Sequence, residues 1–80
     1  MIIYGSMLCK DCVECREALD KASVKYEFRD FALELKNLKE FLQIRDHHSM
    51  FEPIKEAGGI GIPCIVLENG EITLDWEEFI

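Results

Sequence analysis

Hydrophobic and polar residues change their rhythm several times along the chain, and each rhythm predicts an element. Met1, Ile2, Ile3 and Tyr4 form a short apolar run closed by Gly5 and Ser6, the pattern of a buried strand with a break after it. Over residues 11–22 the apolar positions Cys12, Cys15, Leu19 and Ala22 recur at spacings of three and four. Glu14, Arg16, Glu17 and Lys21 supply the wet side of this amphipathic helix. After Ser23, Val24, Tyr26 and Phe28 alternate with Lys25, Glu27 and Arg29, as in a half-buried strand. Strand, helix and strand over so short a length make a βαβ unit, whose two strands run parallel around a right-handed crossover.

The second half has a different order. Leu35, Leu38, Phe41 and Leu42 mark a helix over residues 33–47. Ser49 is placed to cap a short helix reaching Ala57, with Pro53 near its first turn and Gly58-Gly59 ending it. Residues 60–63 read as an extended approach to an apolar strand over 64–67. Glu68-Asn69-Gly70 carries the Asn-Gly pair of a tight hairpin, so residues 71–74 should return antiparallel. Asp75 is placed to cap a last short turn over 76–79. A parallel unit followed by a hairpin predicts an α/β architecture: one mixed four-stranded sheet flanked by helices.

Composition narrows the function classes. Eighty residues suffice for one domain, spanning 1–80, and 49% hydrophobic content can give so small a domain a core. The net charge of −7 argues against nucleic acid and against an anionic membrane, since both need a basic face. No signal-peptide pattern and no bilayer-length apolar run is read in the sequence, so the expected compartment is the cytoplasm. Thiols are kept reduced there, and four cysteines point to chemistry or metal before structural disulfides.

Cys9-Lys10-Asp11-Cys12 falls where the first strand gives way to the first helix. A helix start offers unpaired N–H groups and partial positive charge, the setting in which a thiolate is stabilised. Lys10 adds a cation beside Cys9, partly opposed by Asp11. Cys12, three residues on, can reach back to Cys9 and resolve a mixed disulfide. Cys15 extends the series to Cys9-x-x-Cys12-x-x-Cys15, and such triplets can also hold iron–sulfur clusters, with Cys64 as a distant fourth ligand. The alternative function is therefore a metal or iron–sulfur binding module using Cys9, Cys12 and either Cys15 or Cys64. Cys15 also lies on the apolar stripe with Leu19, where a cysteine is an ordinary core residue, and Cys64 reads as a buried strand residue before Ile65 and Val66. His47 and His48 sit near a helix C-terminus, where the dipole favours them.

Tyr4 through Cys12, the βαβ unit, Gly61-Ile62-Pro63 and the Asn69-Gly70 hairpin together resemble the glutaredoxin branch of the thioredoxin-like superfamily. The similarity runs from Met1 to about Trp76. It implies a thioredoxin-like fold of glutaredoxin type and a dithiol–disulfide oxidoreductase with no bound cofactor. Cys9 is then the nucleophile and Cys12 the resolving thiol. A cis Ile62–Pro63 bond lies beside them, and Lys10, Ile62 and Pro63 are the substrate-contacting positions. Partners would be disulfides of proteins or of low-molecular-weight thiols. The chain departs from the family in having Lys10-Asp11 between the cysteines in place of Pro-Tyr. It also has Thr73-Leu74-Asp75-Trp76 where the family often carries the Gly-Gly-x-Asp segment that helps hold glutathione. Only Asp75 matches that segment, so glutathione as a partner rests on a single residue.

Overall fold

The computed structural model describes all 80 residues, Met1 to Ile80. Strand β1 (Ile2–Gly5) leads into helix α1 (Lys10–Lys21) and strand β2 (Glu27–Asp30). Helix α2 (Leu35–Arg45) follows, then a 3₁₀ turn (Ser49–Phe51) continuing into helix α3 (Glu52–Glu56). Strands β3 (Cys64–Val66) and β4 (Ile72–Thr73) complete the sheet, and a 3₁₀ turn (Trp76–Phe79) ends the chain. The strand order is β2-β1-β3-β4. β1 pairs parallel with β2 and antiparallel with β3, and β3 pairs antiparallel with β4. This is the mixed four-stranded α/β sheet that the order of elements predicts. No helix is long and apolar enough to cross a membrane.

Alternation along β1 sorts the core into two layers. Ile3 lies opposite Ile65 in the ladder, and both pack with Cys15 and Leu19 of α1. Trp76 and Phe79 close over the same cluster. Tyr4 lies opposite Cys64, and both pack with Phe41 of α2 and Phe51. In this second layer the Phe41 ring centroid is 5.2 Å from that of Phe31 and 6.1 Å from that of Phe51, the latter edge-on. Such ring pairs add about 0.5–1.5 kcal/mol each beyond the area they bury. The Tyr4 hydroxyl leaves this layer by donating to Glu40 Oε1 at 3.0 Å, and Arg29 Nη1 donates to the same carboxylate oxygen at 2.6 Å. Burial and this carboxylate acceptor both push the Tyr4 pKa up.

Three local expectations need correction. The second strand begins at Glu27, not near Val24. The chain is still leaving α1 there: Ser23 takes a left-handed φ of 59°, and the Val24 N–H donates to the Leu19 carbonyl. With Ser23 N–H donating to Asp20, these are the two bonds of a Schellman motif. Val24, Tyr26 and Phe28 do all pack against the α1-side cluster, so the alternation correctly identifies the buried face although the ladder starts later. Ala22 belongs to that cap and is exposed. Ser49 caps nothing; it opens the 3₁₀ turn, preceded by an extended His48. The hairpin turn and the final cap are as expected. Gly70 N–H donates to Leu67, and the Asp75 carboxylate accepts from Glu77 N–H at 3.1 Å.

Candidate functional site

β1 and β2 run parallel, so their C-terminal ends lie at one edge of the sheet. β3 is antiparallel to β1 and therefore begins at that same edge. Three connections converge there: residues 6–9 after β1, residues 31–34 after β2, and residues 60–63 before β3. Open α/β sheets bind ligands at the carboxyl ends of their parallel strands, where helices begin and loops diverge.

The first connection holds Cys9 at a sharp corner. Its N–H donates to the Ser6 carbonyl at 3.0 Å, and its own carbonyl accepts the first helical bond, from Val13 N–H at 3.1 Å. Cys9 is the N-cap of α1, extended at φ −95° and ψ 123°, and its side chain makes no capping bond. A residue at this position faces the unpaired N–H groups of the first turn. Cys9 is half-buried, whereas Cys12, Cys15 and Cys64 are fully buried. All four are free thiols.

Cys12 lies in the first turn of α1, directly over the end of β1. A Cβ added to Gly5 would meet Cys12 Sγ at 2.7 Å and the Phe28 ring at 3.3 Å. Only a residue without a side chain lets the helix bring this thiol so close to the strand. Burial pushes the Cys12 thiol up to about 12, against a lowering influence of the Ser6 backbone. The neighbouring Cys9 thiol reinforces the upward shift. Cys9 and Cys12 are thus adjacent, one accessible and one held protonated. Burial also raises Cys15 to about 11 and Cys64 to about 12. Cys15 belongs to the α1-side layer and Cys64 to the α2-side layer. No three Cys, His, Asp or Glu side chains converge as a metal-binding group.

Beside Cys9 runs a groove of about 450 Å³, lined by Ser6, Leu8, Cys9, Phe31, Ala32, Ile60 and Ile62. Of the three expected substrate contacts, Ile62 lines it. Pro63, joined to Ile62 by a cis peptide bond, is buried. Lys10 lies outside the lining, with its ammonium 3.8 Å from Glu14 one helical turn away. Leu8, Phe31, Ala32 and Ile60 carry no sequence signal as groove residues, because only the tertiary fold brings them together.

Two polar residues set the groove walls. The Asp30 carboxylate accepts from Ala32 N–H at 2.7 Å and its backbone carbonyl accepts from Asn37 Nδ2 at 3.0 Å, which shapes the loop holding Phe31. Asp two residues before a bonded N–H is the signature of an Asx turn, and that signal was present in the sequence. On the other wall, Arg45 Nη2 donates to the Gly59 carbonyl at 3.1 Å and ties the 57–61 loop to α2. The exposed His47 bonds only its own helix, at Gln43 O, and His48 is exposed.

A second recess, of about 570 Å³, lies between α1 and β2. Its Arg16, Tyr26 and Asp20 side chains satisfy one another. Arg16 lies 4.4 Å over the Phe28 ring and donates to the Tyr26 hydroxyl, which donates to Asp20 at 2.7 Å. The thiols do not line it.

An uncharacterized protein of Haemophilus influenzae is 34% identical to this chain over 74 residues, covering 92% of this chain and 86% of that protein. No family model and no solved structure matches the chain.

Proposed function

We propose that this chain, which belongs to the same family as the uncharacterized Haemophilus influenzae protein, is a dithiol–disulfide oxidoreductase of thioredoxin-like, glutaredoxin-type fold. The observation that carries the reading is the pairing of an accessible Cys9 at the N-cap of α1 with a buried, protonated Cys12 one turn inside. Cys9, as thiolate, attacks one sulfur of a substrate disulfide; the second sulfur departs as a thiolate and takes a proton. A mixed disulfide now joins Cys9 to the substrate. Cys12 gives up its proton, attacks the Cys9 sulfur and expels the remaining substrate thiolate. The substrate gains two electrons and two protons, and the protein becomes the Cys9–Cys12 disulfide. Burial of Cys12 suits the second role, because a thiol held protonated does not compete for the substrate before Cys9 has reacted.

The test is a thiol and disulfide map of the protein, reduced and then mildly oxidised, with metal content read from the same sample. A reversible Cys9–Cys12 disulfide is expected. Cys9→Ser should abolish reduction of a disulfide substrate. Cys12→Ser should keep the first attack and accumulate the mixed disulfide. Stoichiometric iron or zinc, with these cysteines shielded from alkylation, would overturn the reading in favour of a metal module.

A further inference from the structure

The groove beside Cys9 has an unusual surface for an acidic protein. Its lining is apolar apart from Ser6 and contains no charged side chain. Leu8, next to Cys9, is 90% exposed, and Ile60 across the groove is 54% exposed. The chain has seven large, exposed hydrophobic residues: Met7, Leu8, Leu33, Leu35, Met50, Ile60 and Ile80. Two of them, Leu8 and Ile60, line the groove itself, together with the apolar Phe31, Ala32 and Ile62. Scattered exposed aliphatics need no explanation, but exposed aliphatics lining an apolar groove beside a thiol mark an interaction surface. The cation nearest Cys9 in sequence, Lys10, lies outside the groove lining.

From this we infer, building on the redox reading above, that the groove receives a segment of a protein substrate whose oxidised cysteine is flanked by apolar residues. Charge decides between the substrate classes. A small peptide thiol such as glutathione presents carboxylates, and this groove offers them no cation while the whole chain carries −7. An apolar segment loses no charge solvation on entering, and it covers Leu8, Phe31, Ile60 and Ile62. The bound segment sets its disulfide against Cys9. Exchange then proceeds as above, with the Cys9–Cys12 dithiol as the two-electron donor in a single turnover.

Reduced protein is mixed in single-turnover experiments with three peptides, each carrying its cysteine as a mixed disulfide with thiopyridine. The flanking residues are leucine and valine, aspartate and glutamate, or lysine. Thiopyridone release is followed by absorbance, at about 0.5 M salt to screen the long-range field of the protein. The apolar peptide is expected to react about tenfold faster than either charged one, as burying an apolar contact or stranding a charge produces. In Ile60→Lys the ratio of apolar to acidic rates should fall at least fivefold. Equal rates for the three peptides, or an unchanged ratio in Ile60→Lys, overturns the inference. Dipyridyl disulfide separates it from the redox reading. If Cys9 of the unmodified protein fails to reduce this small neutral disulfide, the redox reading falls and takes the inference with it. If that reaction proceeds without peptide discrimination, the inference falls alone.

Discussion

On the α2 side of the sheet, Tyr4, Phe31, Phe41 and Phe51 fill the interior with rings, and the one thiol among them, Cys64, is fully buried. On the α1 side, the sheet presents Gly5 to Cys12 at a distance that excludes even a methyl group, with Cys15 and Leu19 next in line. Bulk holds the first layer together, whereas in the second close approach sets where the Cys12 sulfur lies. The same backbone strand, β1, serves both, because Tyr4 and Gly5 are neighbours that point to opposite faces. In a chain of 80 residues the parity of one strand thus separates a layer of rings from a layer that positions Cys12.

The largest test of this division is Phe41→Ala. Removing a fully buried ring that touches three other aromatics should lower stability by about 3–5 kcal/mol. For a chain of this size the melting temperature then drops by roughly 12 °C or more, which calorimetry reads directly. Gly5→Ala probes the other face. Its Cβ would strike Cys12 Sγ, so overpacking should destabilise the protein by about 1–3 kcal/mol. In a Cys12→Ala background most of that loss should disappear, and a double-mutant cycle from urea titrations measures the coupling. A Gly5→Ala effect independent of residue 12 would assign the strain to Phe28 instead.

Buried thiols also make stability depend on pH. Folding raises the pKa of Cys12, Cys15 and Cys64, to about 12, 11 and 12. Above about pH 9 the unfolded chain loses these protons while the folded chain keeps them, so the folded state binds more protons and stability falls as pH rises. Below the ordinary thiol range both states are protonated and the contribution is fully present. Cys64→Ala should flatten the alkaline decline by about 1.4 kcal/mol per pH unit, one thiol's share, whatever offset its cavity adds. An unflattened decline would place the alkaline sensitivity on the α1 face alone. The smallest effect expected is at the helix exits. α1 and α3 both end in Schellman bonds, but the left-handed position is Gly58 after α3 and Ser23 after α1. Ser23→Gly should stabilise by about 0.5–1 kcal/mol by removing the Cβ from an unfavourable φ.

The sequence carried the local part of this structure well. Cysteines at the start of an amphipathic stretch placed Cys9 at the junction of strand and helix and Cys12 in the first helical turn. Alternation identified the buried side of residues 24–28, and Asn69-Gly70 located the hairpin. What it did not carry was distance through space. Gly5 reads as the end of a strand until α1 is seen resting on it. Phe31 and Ile60 lie 29 positions apart in the sequence and become opposite walls only because β2 and β3 flank β1. The start of β2 was misplaced because side-chain alternation does not report where backbone pairing begins.

The shortness of β4 has a consequence of its own. A four-stranded sheet leaves two open edges, each a row of unpaired N–H and C=O groups that can template an incoming chain. Here one edge is a strand of two residues, Ile72–Thr73, and the other, β2, carries Glu27 and Arg29 on either side of its one hydrophobic residue, Phe28. Neither offers a long, flat, apolar template. Edges blunted in this way keep the sheet from pairing strand to strand with a neighbouring chain.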